Sequence, residues 1–223
     1  MSFLAVLLQE ESLLFSKEHL QDIRQMSQRM NHRGNSDLLH DKQFALFYHI
    51  LHPEEKPYYF SEDRYVLIFD GAITNKQEIY KLLQEKGYIL KGKSDHELLA
   101  KLFAYKKTDC FSLLQGSFII LIWDTVEKVL FGARDPFGKK QLYYTESAEE
   151  TILTTEKKSA LFSYYEDTFD DYAFHHYIDY GYVPEPHTLT KGIKQVNKGH
   201  YFIKRLGDPL TFIRYCQMSF PKR

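Results

Sequence analysis

The chain has 223 residues, which suits one large domain or a domain with a short tail. Its content of 43% hydrophobic and 16% aromatic residues favours a sizeable, sheet-rich core, because aromatic rings fit a half-buried pleated surface. A formal net charge of -1 argues against nucleic-acid and membrane partners, and no apolar run reaches the roughly 18–20 residues of a membrane span.

Hydrophobic periodicity, caps and turn residues predict a succession of strands and helices. In chain order these are a strand from Phe3 to Leu8, a helix from Ser16 to Met30, a loop from His32 to Asp37, strands from Phe44 to Leu51 and Tyr65 to Phe69, a helix from Asn75 to Gly87, a helix capped by Ser94, strands from Gly116 to Asp124, Lys128 to Ala133, Gln141 to Thr145 and Thr151 to Thr154, a helix from Asp170 to Tyr180, and a strand from Gly199 to Arg205. This order predicts an α+β fold with largely antiparallel sheets.

The cysteines and histidines give no sign of a metal site. Cys110 and Cys216 lie far apart and outside any CxxC pair, which favours a cytoplasmic protein with reduced thiols. The adjacent pair His175 and His176 lacks the spacing of metal ligands. We therefore expect no metal and no cofactor in this domain.

Four segments with the right order and spacing carry a resemblance to a known family. They are His32-Arg33-Gly34 followed by Asp37, FDGAITN at Phe69 to Asn75, Ser94-Asp95 before a helix, and ARDPFGKK at Ala133 to Lys140 followed by Leu142-Tyr143-Tyr144. Together they resemble the amino-terminal class II glutamine amidotransferase domain of asparagine synthetases, which carries HRGPD, FNGEIYN, SDTE and ARDRFGIKPLYY.

The resemblance covers residues 1–205 and implies the αββα sandwich of the amino-terminal nucleophile (Ntn) hydrolases, with two antiparallel sheets between helices. We interpret residues 1–205 as the amidotransferase-like domain and residues 206–223 as a linker or tail. In the family a synthetase domain follows, which adenylates a carboxylate with ATP and transfers ammonia to it. The resemblance therefore implies a synthetase partner domain, in cis or in trans, with ATP and magnesium as its cofactors.

The family's nucleophile is a processed N-terminal cysteine whose own α-amine acts as base, and here Ser2 stands at that position. A serine hydroxyl is a weaker nucleophile than a partly ionised thiol. Serine does serve at this position in other hydrolases of the fold. Phe3 replaces the glycine that follows the family's cysteine, which argues against an engineered Cys→Ser change.

The family's oxyanion hole combines an Asn side chain with the backbone N–H of the next glycine, and the matching residues here are Asp70 and Gly71. An ionised carboxylate only accepts hydrogen bonds and repels an oxyanion. Asp70 is therefore expected to disable this function, although protonation would let its carboxyl group donate.

The resemblance also assigns two substrate-binding positions. The arginine that binds the α-carboxylate of glutamine aligns with His49, and a neutral imidazole does not replace a bidentate arginine. Asp95 is retained and either holds a substrate α-amine or acts with Ser94 as a helix cap.

With three positions changed, we expect a glutaminase-like domain that is catalytically silent and serves as scaffold for an ATP-dependent amide-forming domain, as in lasso-peptide cyclases and β-lactam synthetases. The alternative is glutamine hydrolysis by Ser2, which would supply ammonia for asparagine synthesis. A third reading is a free-standing module that binds glutamine, another amino acid or a peptide. A homodimer is left open.

Overall fold

The computed structural model describes residues 3–9, 35–50, 56–92, 94–160 and 168–217. Its strands are β1 (Phe3–Gln9), β2 (Asn35–His40), β3 (Phe44–Ile50), β4 (Tyr58–Phe60), β5 (Tyr65–Ile73), β6 (Gly116–Asp124), β7 (Val129–Arg134), β8 (Tyr143–Glu146), β9 (Glu150–Thr154), β10 (Lys194–Gln195), β11 (His200–Arg205) and β12 (Thr211–Arg214). Its helices are α1 (Lys76–Glu85), α2 (Asp95–Lys106), a 3-10 helix (Lys107–Leu113), α3 (Lys157–Ala160) and α4 (Asp171–Tyr180).

The described residues belong to two compact units, each formed from two stretches of chain. The first unit draws on Met1–Pro53 and Gln141–Asn197, and the second on Glu54–Lys140 and Lys198–Arg223. Each contains a six-stranded antiparallel sheet. The α+β class and the two antiparallel sheets that the sequence predicts are thus confirmed.

The sheet of the first unit has the strand order β10-β8-β9-β1-β3-β2. Its inner strand β1 pairs with β3 on one side and with β9 on the other. Residues Leu4 to Gln9 are all buried. Successive side chains of a strand point to opposite faces, so both faces of β1 are covered, which explains the continuous apolar run.

The sheet of the second unit has the order β12-β11-β7-β6-β5-β4 and supports α1 and α2. Alternate side chains of β5, namely Tyr65, Leu67 and Phe69, join the cluster that also contains Ile79 of α1 and Phe103 of α2. This period of two places Asp70, the next residue along β5, on the other face of the strand.

Three local predictions need correction or fall outside the description. The predicted loop from His32 to Asp37 gives way to β2 at Asn35, where pairing with β3 overrides local composition. Asn75 makes no side-chain cap on α1, because its side chain instead binds the backbone at Leu113 and Gln115. The predicted helix from Ser16 to Met30 lies outside the described residues.

Residues beyond position 205, which we interpreted as a linker or tail, include a further strand of the second sheet. The predicted tail turns back at Gly207 and forms β12, which pairs with β11 in register Phe202 to Phe212. The Tyr215 hydroxyl then donates to the carbonyl of Arg134 at 2.7 Å. Pairing with β12 satisfies backbone N–H and C=O groups along the outer edge of β11, which would otherwise lack hydrogen-bond partners in the sheet.

No helix in the described ranges has the length and apolar character needed to cross a lipid bilayer.

Candidate functional site

Of two predicted site residues, Ser2 and His49, the structure describes at most the backbone. Ser2 lies outside the described residues. The backbone of His49 lies in β3 opposite Phe3, the residue that follows Ser2 in the chain. The pairing of β1 with β3 therefore gives the backbone register next to the predicted nucleophile, and the side chain of His49 lies outside the described residues.

Asp70 and Gly71 lie near the end of β5, paired with Ile119 and Phe118 of β6. Gly71 has φ of 147°, and a Cβ atom on it would lie 2.1 Å from the carbonyl oxygen of Ser117. Only glycine fits a backbone approach this close. Asp70, which is 8% exposed, is thereby held in a fixed, nearly solvent-free position.

A lysine that the sequence reasoning did not single out neutralises Asp70. The Lys140 ammonium donates to both carboxylate oxygens, at 2.8 Å to Oδ1 and 2.9 Å to Oδ2. The Lys140 side chain is 19% exposed and that of Asp70 is 10% exposed, so water screens the pair only in part. The signal lay in the motif: Lys140 matches the lysine of the family's ARDRFGIKPLYY segment.

The turn from Arg134 to Lys140 positions this lysine. Arg134 donates from Nε to the Lys140 carbonyl at 2.6 Å and from Nη2 to the Gly138 carbonyl at 3.0 Å. The Asp135 carboxylate accepts from the backbone N–H groups of Phe137, Lys139 and Lys140, each at 3.1 Å. Arg134 and Asp135 are buried, and their bonds to main-chain atoms hold the backbone of Lys140 in place.

Asp95 begins α2, and Ser94 before it is the helix cap, accepting from the Glu97 N–H at 3.2 Å. The Asp95 carboxylate lies 2.5 Å from the ammonium of Lys76 on α1. Of the two roles that the sequence left open for Asp95, the helix cap is thus made by the Ser94 side chain, and binding of a substrate α-amine stays a prediction. The Asp95 carboxylate forms an ion pair between helices. Lys76 carried no sequence signal, because no part of the motif requires it.

A phenol stands beside this ion pair. Tyr80 lies one turn after Lys76 on α1, and its hydroxyl is buried without a hydrogen-bond partner among the described residues. Desolvation raises the pKa of Tyr80, the charges of Asp95 and Glu97 raise it further, and Lys76 opposes them. The phenol therefore stays protonated and can donate to a ligand oxygen.

Both carboxylates to which the resemblance assigns a role in glutamine chemistry are thus neutralised by lysines of this chain. Asp70 is bound by Lys140 and Asp95 by Lys76. Neither side chain is a hydrogen-bond donor while ionised. The arrangement supports ordered, charge-compensated side chains and offers no side-chain donor from Asp70 to an oxyanion.

Comparison with known proteins places the chain in a family. The family described as glutamine amidotransferase domain matches residues 11–213. The chain belongs to this family. This amidotransferase domain therefore has the membership that its motifs predicted.

The sequences of curated relatives agree with this placement. The amidotransferase domain is 35% identical over 205 residues to asparagine synthetase [glutamine-hydrolyzing] 1 of Bacillus subtilis, covering 89% of this chain and 32% of that protein. It is 36% identical over 152 residues to a putative asparagine synthetase of Mycobacterium tuberculosis, covering 66% and 22%. The chain thus spans a third or less of the length of these relatives.

Solved structures confirm the fold of this amidotransferase domain. The chain is similar to glutamine phosphoribosylpyrophosphate amidotransferase of B. subtilis with a TM-score of 0.63 and 14% identity, over 98% of this chain and half of that one. A structure described as the allosteric regulatory enzyme of purine biosynthesis gives a TM-score of 0.64 at 15% identity. The fold is that of the Ntn-type glutamine amidotransferases.

Proposed function

We propose that this amidotransferase domain does not hydrolyse glutamine and acts as the scaffold of an ATP-dependent amide-forming synthetase domain, in cis or in trans. The nitrogen for that reaction comes from free ammonia or from an amine already on the substrate. ATP and magnesium belong to the synthetase partner. The coarser statement, a glutamine amidotransferase domain of asparagine-synthetase-like proteins, rests on the family and the relatives.

The ion pair between Asp70 and Lys140 carries the proposal. The family position of Asp70 requires a side-chain N–H that donates to the developing oxyanion, and a carboxylate cannot donate. Lys140 cancels the charge, yet its ammonium lies on the two Asp70 oxygens. Loss of one oxyanion donor typically costs about 10²–10³ in rate.

The other positions support the same conclusion. Ser2 offers a hydroxyl where the family has a thiol, and a hydroxyl needs more activation to attack an amide. Asp95 is bound to Lys76, so an incoming α-amine has to displace the lysine ammonium to reach this carboxylate. Defects in nucleophile, oxyanion donor and substrate contact lower the rate at different points of one reaction, so their effects reinforce one another.

The scaffold role is supported by the relatives and by the retained architecture. The relatives are described as asparagine synthetases, and this chain matches only a third or less of their length. The second sheet and its helices keep a continuous apolar core although the site side chains differ from the family. A domain that serves as a folded scaffold, without hydrolysing glutamine, is compatible with this combination.

The test is glutamate release from glutamine by the purified protein, measured beside a Ser2→Cys/Asp70→Asn/His49→Arg variant. We expect no release by the native protein and measurable release by the variant. The matched control is Asp63→Asn, which removes a carboxylate from an exposed turn. Turnover by the native protein above that of a heat-denatured sample contradicts the proposal and favours the Ser2 enzyme.

A further inference from the structure

The ion pair between Lys76 and Asp95 is asymmetric in exposure. The Lys76 side chain is 40% exposed, whereas that of Asp95 is 16% exposed. A lysine has a flexible four-carbon stem and a strongly hydrated ammonium, so Lys76 can swing into water while Asp95 stays at the start of α2. The pair therefore consists of a largely buried anion and a more exposed cation on a flexible stem.

We propose that Lys76 is an internal occupant of the amine-binding position: its ammonium sits on Asp95 and must leave before the amine of a free amino acid can bind. This inference rests on the proposed function and specifies how its substrate position is closed. The class of ligand excluded is a primary ammonium, because a protonated α-amine and a lysine ammonium present the same charge and the same three N–H donors.

The surroundings of Asp95 favour competition for this one carboxylate. The nearby carboxylate of Glu97 is already engaged by the backbone N–H groups of Lys91 and Gly92, both at 2.7 Å. The unpartnered Tyr80 hydroxyl offers a donor beside the pair and no second anion. An incoming ammonium therefore has Asp95 as its counter-ion and must displace Lys76 to reach it.

The position of Lys76 in the chain makes it specific for this contact. It is the first residue of α1, which brings its side chain to the first residue of α2. Lys81 lies further along the same helix and is exposed, so it provides a lysine of equal chemistry without the contact. Removal of Lys76 is therefore expected to open Asp95 to an incoming ammonium, and removal of Lys81 is not.

The experiment titrates three purified proteins, native, Lys76→Met and the control Lys81→Met, with methylammonium, L-glutamine and N-acetyl-L-glutamine. Binding is followed by calorimetry and by the thermal unfolding midpoint. We expect Lys76→Met to bind methylammonium at least about ten-fold more tightly than the other two proteins, a change equivalent to about 1.4 kcal/mol. We expect L-glutamine, and not its N-acetyl derivative, to raise the unfolding midpoint of Lys76→Met alone.

Equal methylammonium affinity in all three proteins overturns the inference, since Lys76 would then compete with nothing. If Lys76→Met does not fold, the test is repeated with Lys76→Gln, whose side chain is neutral and can still donate a hydrogen bond to Asp95. Failure of both variants to fold makes Lys76 a structural counter-ion and overturns the inference as well. The outcome is separable from that of the proposed function, which depends on glutamate release by the native protein.

Discussion

The Nζ atom of Lys140 lies 2.8 Å from Oδ1 and 2.9 Å from Oδ2 of Asp70, so a lysine from the turn after β7 compensates a carboxylate on β5. The sequence alone treated Asp70 as a bare charge that repels an oxyanion. The structure shows a charge-compensated pair, in which the missing function is hydrogen-bond donation.

Removal of Lys140 is expected to destabilise the domain. Lys140→Met removes the ammonium that compensates the nearly buried Asp70 carboxylate, which costs about 3 kcal/mol of unfolding free energy at neutral pH. Urea unfolding of the variant measures this loss, with the exposed neighbour Lys139→Met as the control. Adding Asp70→Asn to Lys140→Met recovers part of the loss, because no charge then remains to be compensated. Equal stability of both lysine variants contradicts the pairing.

Asp124 is expected to make the folding stability of the domain decrease at acidic pH. Burial tends to raise its pKa, but hydrogen bonds from Arg64 and from the backbone at Glu127 and Val126 outweigh burial, so the pKa lies below the usual value of an aspartate. A depressed folded pKa gives stability that is present above the unfolded value and is lost as pH falls through the folded value.

The unfolding free energy of the native protein should therefore exceed that of Asp124→Asn by about 2 kcal/mol at pH 7. This difference in stability should shrink below about pH 4. Urea unfolding at pH 7 and pH 3 measures it, with the exposed Asp179→Asn as control. A difference that is constant between the two pH values would refute the prediction.

Gly71→Ala tests the close approach that positions Asp70. Its Cβ would meet the Ser117 carbonyl at 2.1 Å, and φ of 147° disfavours any side chain. Gly207→Ala is the control, because φ there is 85° and nothing lies within 4 Å of the added Cβ. We expect a loss of about 1 kcal/mol for Gly207→Ala from backbone strain alone. A several-fold larger loss is expected for Gly71→Ala, as measured by thermal unfolding.

Tyr215 tests whether the predicted tail belongs to the domain. Its hydroxyl donates to the Arg134 carbonyl, and desolvation together with the charge of Asp135 raises the pKa of this phenol far above its usual range. Tyr215→Phe removes the donor and should cost about 1 kcal/mol in urea unfolding. Tyr59→Phe, at an exposed tyrosine, should change little. Equal effects of the two changes would mean that the tail is not held by this bond.

Elements with strong local signals were predictable. The strand at β1, the helix capped by Ser94 and the hairpin of β6 and β7 follow from apolar runs and turn residues, and the structure confirms them. Strand β2 and strand β12 were missed, because their residues are mixed in character and only pairing with a neighbouring strand makes them extended.

Within the candidate site, the sequence identified which residues occupy the family's site positions, but it did not identify the lysines that form ion pairs with them. Asp70, Gly71 and Asp95 were identified through the family motifs. Lys140 lies 70 residues from Asp70 in the chain, and no periodicity or motif spacing encodes that contact. Lys76 and Asp95 likewise meet only because α1 and α2 pack together. Long-range ion pairs of this kind arise from tertiary packing.

The interleaving of the two units has a consequence for biosynthesis. The first sheet is complete only when β10 has been made, and the second only when β12 at Thr211–Arg214 has been made. The carbonyl of Leu4, for example, accepts from the hydroxyl of Thr154, which is made 150 residues later. Neither sheet can close on a ribosome that has released only the first half of these residues, because β10 and β12 both lie in the second half. A nascent chain of about 140 residues would present open strand edges to chaperones.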